Sequence, residues 1–130
     1  MISKVHEIKL QLRYRDIDSL GHVNNAVFLS YFELGRIGLF RLNSDDYQID
    51  SINFVIAHLE IDFLKPLHLF DDVKLRTRIV RIGRTSFTFD HEISSEHGDD
   101  IYCHGTAVAV AMKDGSKVPV PQFIKDLLVE

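Results

Sequence analysis

Two carboxylates, an imidazole and two amides fall within ten positions of one another: Asp16, Asp18, His22, Asn24 and Asn25. They lie in the stretch YRDIDSLGHVNNAVFLSYFELGR, from Tyr14 to Arg36. An aspartate is ionised at neutral pH, so it can take a proton from water or attack a carbonyl carbon itself. An imidazole beside it can hold or pass a proton. The same residue types also suit plain structure, because Asp and Asn ahead of a helix close turns and cap unpaired N–H groups. On residue types alone both readings stand.

The elements around the cluster decide where those groups sit. From Val5 to Tyr14 the chain alternates, with Ile8, Leu10, Leu12 and Tyr14 on one face and Lys9, Gln11 and Arg13 on the other, which predicts a half-buried strand. Asp16 to Gly21 is the turn that ends it, and Asn24 or Asn25 is the expected N-cap. From Ala26 to about Leu42 there is no proline, and apolar residues dominate so fully that the helix is expected to be buried on most sides. Its first N–H groups lack intrahelical partners and carry partial positive charge, so they suit an oxyanion. Gly35 and Gly38 weaken the helix and mark the close approach of another backbone. Glu33 and Arg36 share a narrow stripe and are expected to form an ion pair. Asn43 to Ser51 is polar and acidic, an expected loop.

Four more strand patterns follow, over Phe54–Leu64, Val73–Ile82, Thr85–Ser95 and Ile101–Met112, with the clearest hairpin signal at His97–Asp100. One face of the last strand is small (Cys103, Gly105, Ala107, Ala109, Ala111), as required where a thick helix lies against it. Gln122 to Val129 follows Pro121 as a short terminal helix. Runs of strands rather than strand–helix alternation give an α+β fold: one domain over residues 1–130, an antiparallel five-stranded sheet wrapped around one long central helix.

Charge and composition exclude other classes. A net charge of −4 offers no basic face for nucleic acid. No apolar run approaches the roughly 18 residues that span a bilayer, and Glu7, Lys9 and Gln11 interrupt any signal-peptide core, so the expected location is the cytoplasm. The single cysteine, Cys103, leaves no internal disulfide, and the seven histidines show no paired ligand spacing, so no metal is expected.

A strand followed by D-x-D-x-x-G-H-V-N-N and an apolar helix resembles the hotdog-fold acyl-CoA thioesterases of the 4-hydroxybenzoyl-CoA thioesterase family. AHLEIDFLKPL (Ala57 to Leu67) and IGRTSFTFDHEI (Ile82 to Ile93) resemble the family's second strand and its CoA-side hairpin, so the likeness covers nearly the whole chain. The resemblance implies a hydrolase of acyl-CoA with Asp18 as general base or nucleophile, the backbone N–H near Asn25 polarising the carbonyl, and His22 as a further catalytic candidate. Plant acyl-carrier-protein thioesterases look similar over the same stretch but carry asparagine where this chain has Leu20. Asp16 is expected to be structural, and Glu33 stays a minor candidate because a related branch uses a helix glutamate. The family also implies a homodimer with sites between subunits, often paired into a homotetramer, and no cofactor beyond the CoA of the substrate.

Arg84, Thr85 and Ser86, with Arg81, are candidates for the CoA phosphates, since guanidinium and hydroxyl groups suit that anion; a solvated turn is the other reading. His58 is a candidate for lining the pocket or simply a surface histidine, and Phe28, Phe32 and Phe54 are candidates for meeting the acyl group. Three other functions remain open: a thioesterase acting on acyl-[acyl carrier protein] instead of acyl-CoA, a non-catalytic acyl-CoA or acyl-carrier-binding protein, which would not need Asp18 and would normally adjoin a DNA-binding segment, and a hotdog hydratase or dehydratase.

Overall fold

The computed structural model describes residues 2–43 and 53–129. The elements are β1 (Val5–Leu10), α1 (Val27–Leu42), β2 (Phe54–Phe63), β3 (Val73–Ile82), β4 (Ser86–Ser95), β5 (Ile101–Lys113), β6 (Ser116–Lys117) and a short α2 (Gln122–Lys125). The sheet runs β1-β3-β4-β5-β2, antiparallel throughout, with β6 paired to the end of β5. This is the expected α+β arrangement, with five long strands and a sixth of two residues that was not expected. Asp114 and Gly115, both at positive φ, make the tight turn before it. The expected loop from Asn43 to Ser51 lies, apart from Asn43, outside the described residues.

Strand alternation gives the inner face of the sheet. Val73, Leu75, Thr77 and Ile79 of β3, Phe87, Phe89, His91 and Ile93 of β4, and Cys103, Ala107, Ala109 and Ala111 of β5 are all buried. α1 lays Phe28, Tyr31, Phe32, Leu39 and Phe40 onto that face. Each large side chain taken fully out of water there, such as Phe32 or Phe89, stabilises the fold by roughly 1.5–3 kcal/mol. The small face of β5 meets the helix as expected.

Three expectations fail for identifiable reasons. β1 ends at Leu10 rather than Tyr14, and Tyr14 is 85% exposed. Asp16 takes the Arg13 N–H on its carboxylate at 3.1 Å and donates its own N–H to the Arg13 carbonyl at 2.9 Å, which coils Tyr14–Asp16 into a 3-10 turn. The helix is buried on one side only: Leu29, Leu34, Ile37 and Leu42 are exposed, because the sheet of one chain covers a single face. Glu33 is exposed and makes no ion pair with Arg36, which instead turns inward.

Arg36 belongs to a polar cluster inside the core. Its guanidinium, which can only donate, reaches His91 Nε2 at 3.3 Å. The His91 proton therefore sits on Nδ1, which faces Thr77 Oγ1 at 3.1 Å. The His91 ring stacks on Phe32 with centroids 4.4 Å apart. Burial first, then the Arg36 charge, hold the His91 pKa down at about 3. The close approaches expected at Gly35 and Gly38 are made by side chains: a Cβ on either would collide with Thr77 Oγ1 or the His6 ring.

Candidate active site

Asp16 anchors the loop between β1 and α1. It is 2% exposed, and Tyr31 Oη donates to its Oδ2 at 2.7 Å while Arg13 Nη2 donates to Oδ1 at 3.2 Å. Burial works to raise its pKa, but these bonds and the Arg13 charge outweigh it and leave the carboxyl below its ordinary value. Its carbonyl also accepts the Asn24 N–H at 2.8 Å, which fixes the distance between the end of the turn and the helix entrance.

Asp18 heads the tighter turn inside that loop. Its Oδ1 accepts the N–H groups of Leu20 at 2.9 Å and His22 at 3.3 Å, and its carbonyl accepts that of Gly21, which lies at φ +82°. Among the described residues Oδ2 accepts nothing. The helix entrance follows at once. The N-cap is Ala26, not the expected Asn24 or Asn25; Asn24 closes the turn just before it, its Oδ1 taking the Ala26 N–H at 2.9 Å and its carbonyl the Val27 N–H at 2.9 Å. Across residues 22–29 every backbone N–H has an acceptor among the described residues except that of Asn25. One carboxylate oxygen and one helix-entrance N–H are thus left unpartnered.

Both residues line one open pocket of about 380 Å³, together with His22, Asn24 and an apolar wall of Leu20, Phe28, Phe63, Leu64 and Leu67. Phe28 and Phe63 meet edge to face at 5.2 Å. The Leu67 carbonyl accepts the Val23 N–H at 2.7 Å, which ties the segment after β2 to the loop before α1. A carboxylate, an imidazole and a free N–H above an apolar wall can hold an acyl group with its carbonyl at the polar end.

The structure brings Asp18, His22 and Asn25 together and leaves the other candidates elsewhere. Arg84, Thr85 and Ser86 form the turn between β3 and β4, while the pocket lies at the Val73 end of β3, about 30 Å away along the strand. His58 is exposed in the middle of β2, with Nε2 3.1 Å from Glu60 Oε1. Phe32 is fully buried against His91, and Phe54 packs with Phe40, Phe87 and Phe89, so of the three aromatic candidates only Phe28 reaches the pocket. Phe63, Leu64 and Lys65 were missed as lining residues. They come from a segment some 40 positions downstream, and the only signal for them was the apolar end of β2 before Pro66. Cys103 faces the core, its thiol pushed up to about 12 by burial, so it offers no nucleophile. Among the described residues no group of three or more His, Cys, Asp or Glu could hold a metal ion.

Known proteins share this frame. The chain is 27% identical to the acyl-acyl carrier protein thioesterase ATL3 of Arabidopsis thaliana, over 98% of this chain and 70% of that protein. It is 22% identical to the acyl-CoA thioester hydrolase YbgC of Escherichia coli, over 93% of this chain and 91% of that one. The crystal structure of a thioesterase from Thermus thermophilus, complexed with coenzyme A and zinc, is 38% identical and matches with a TM-score of 0.82, covering 92% of this chain and 94% of that one. The sequence model of the thioesterase-like superfamily matches residues 12–128. With α1, strands β2 to β6 and the Asp16–Asn25 loop all inside that match, the chain belongs to the thioesterase-like superfamily and has the hotdog fold.

Proposed function

We infer that the protein is a thioesterase that hydrolyses acyl-CoA to a free carboxylic acid and CoA. The observation that carries this is the pair of unpartnered groups on one pocket, Asp18 Oδ2 and the Asn25 N–H. Asp18 takes a proton from water or attacks the thioester carbon; either route begins from the ionised carboxylate. The Asn25 N–H receives the oxyanion, and loss of a donor of this kind costs about 3 kcal/mol of transition-state stabilisation. His22 holds the attacking water beside Asp18. The reaction is redox-neutral and uses water, so no cofactor is required beyond the CoA of the substrate.

The working unit is a homodimer, alone or paired into a tetramer, with each pocket completed by the partner. β2 is a sheet edge whose exposed residues include Val55 at 50% and Phe63 at 46% beside His58, Glu60 and Asp62, and its outer backbone groups are open to pairing with a second copy. Arg84, Thr85 and Ser86 lie too far from their own pocket to meet its substrate, so they serve the CoA phosphates of the partner's pocket. Among the described residues no helix is long and apolar enough to cross a membrane, and we place the enzyme in the cytoplasm.

The likeness to an acyl carrier protein thioesterase favours a second substrate form, the same acyl group on a carrier protein. Leu20, 78% exposed on the pocket rim, stands where the plant-type enzymes that the loop resembles carry asparagine, so their catalytic network is not reproduced whole here. Thiol release from short, long, branched and aromatic acyl-CoAs, beside an acyl carrier protein thioester, tests the reading. Turnover of at least one acyl-CoA is expected. Tight binding of acyl-CoA with no turnover of any thioester would instead make the protein a binding module.

A further inference from the structure

His22 lines the pocket, yet its ring makes no hydrogen bond among the described residues. Its one ring contact is with His68, edge to face, with centroids 5.0 Å apart and planes at 87°. His68 does not line the pocket and is itself held by Asp71. The Asp71 carboxylate accepts the His68 N–H at 2.8 Å and lies 3.5 Å from His68 Nδ1, and the Asp71 N–H returns to the His68 carbonyl at 3.0 Å. The adjoining Leu67 carbonyl bonds to the Val23 N–H, so both imidazoles stand on backbones fastened to each other. The order is carboxylate, imidazole, imidazole, pocket.

We propose that His68, braced by Asp71, is the positioning residue for His22. A catalytic group must stay within a few tenths of an ångström of its working place. A half-exposed imidazole with no hydrogen bond of its own samples several rotamers unless something selects one. The ring of His68 selects it, because an edge-to-face aromatic contact favours one arrangement over the others by roughly three- to tenfold. His68 touches neither substrate nor the reacting atoms and acts through His22 alone. The inference rests on the thioesterase reading of the pocket, in which His22 has a catalytic part.

The test is a double-mutant cycle on the best acyl-CoA substrate, with thermal melts to confirm folding. His68→Ala is expected to lower kcat about three- to tenfold with KM unchanged. His68→Phe, which keeps an aromatic ring in place, restores it. In a His22→Ala background, His68→Ala has no further effect. An equal loss in that background, a change confined to KM, or full activity of His68→Ala overturns the proposal. A second readout does not depend on turnover: the His22 ring proton resonances shift in His68→Ala and stay near their wild-type positions in His68→Phe. Unmoved His22 resonances overturn the proposal. If the wild type hydrolyses no thioester, the thioesterase reading fails by itself, and the resonances still decide whether His68 fixes His22.

Discussion

Asp18 and His22 hold each other through the backbone: the Asp18 N–H donates to the His22 carbonyl at 2.8 Å, and the His22 N–H returns to Asp18 Oδ1 at 3.3 Å. The Asp18 carboxylate therefore has a structural half and a free half. Asp18→Asn keeps an acceptor oxygen for the turn and is expected to melt within a degree or two of the wild type. Asp18→Ala removes it and is expected to lose about 1 kcal/mol of stability, visible in urea denaturation. Equal stability of the two variants would show that Oδ1 does not hold the turn.

His91 makes the fold acid-sensitive. Burial and the Arg36 charge hold it near 3, below the ordinary 6.5 of an exposed histidine. Between those values the unfolded chain binds a proton that the folded chain does not, so stability is full above about 6.5 and falls as the pH drops toward 3. From pH 7 to pH 5 the loss due to this residue is about 2 kcal/mol. His6, also lowered by burial against the opposing Gly35 backbone, acts in the same direction. His91→Gln should be less stable at pH 7 and show a smaller drop between pH 7 and pH 5. An unchanged drop would mean that His91 is not the titrating group.

Helix propensity and packing disagree in sign at Gly35. On an exposed helix face, Gly to Ala stabilises by roughly 1 kcal/mol. Here the new methyl would meet Thr77 Oγ1, whose place is set by His91. Gly35→Ala is therefore expected to destabilise by about 1–3 kcal/mol. A rise in melting temperature would mean that α1 sits farther from β3 than described.

A pocket shared between subunits can be tested by mixing. On the proposed dimer, the Asp18→Asn and Arg84→Ala variants are each expected to be impaired at low acyl-CoA concentration, the first in kcat and the second in KM. After subunit exchange, each heterodimer holds one site with Asp18 from one chain and Arg84 from the other. Activity should recover to about a quarter of the wild-type value, set by the share of intact sites. No recovery after confirmed exchange would place Arg84 outside the partner's site.

The long strands and their inward faces were legible because alternation directly encodes a sheet with one covered face. His91 alternates in the chain with Phe87, Phe89 and Ile93, and the structure buries all four. Its partner Arg36 was not legible, since the helix pattern paired it with Glu33 and only the packing of α1 on β3 and β4 turns it inward. The cluster of Asp18, His22 and Asn25 was legible because it is local, built within one loop. The wall opposite was not. Phe63, Leu64 and Leu67 arrive through the pairing of β2 with β5 and the Val23–Leu67 bond, which no spacing in the chain announces. β6 was missed although Asp114–Gly115 is a strong turn signal, because two residues show no alternation.

The most direct test compares kcat for thiol release by the wild type and Asp18→Asn on the best acyl-CoA. The expected result is a loss of at least about a hundredfold, as befits removal of a general base or nucleophile, in a variant that melts like the wild type. Full activity in folded Asp18→Asn would contradict the assignment of Asp18 as the group that starts hydrolysis.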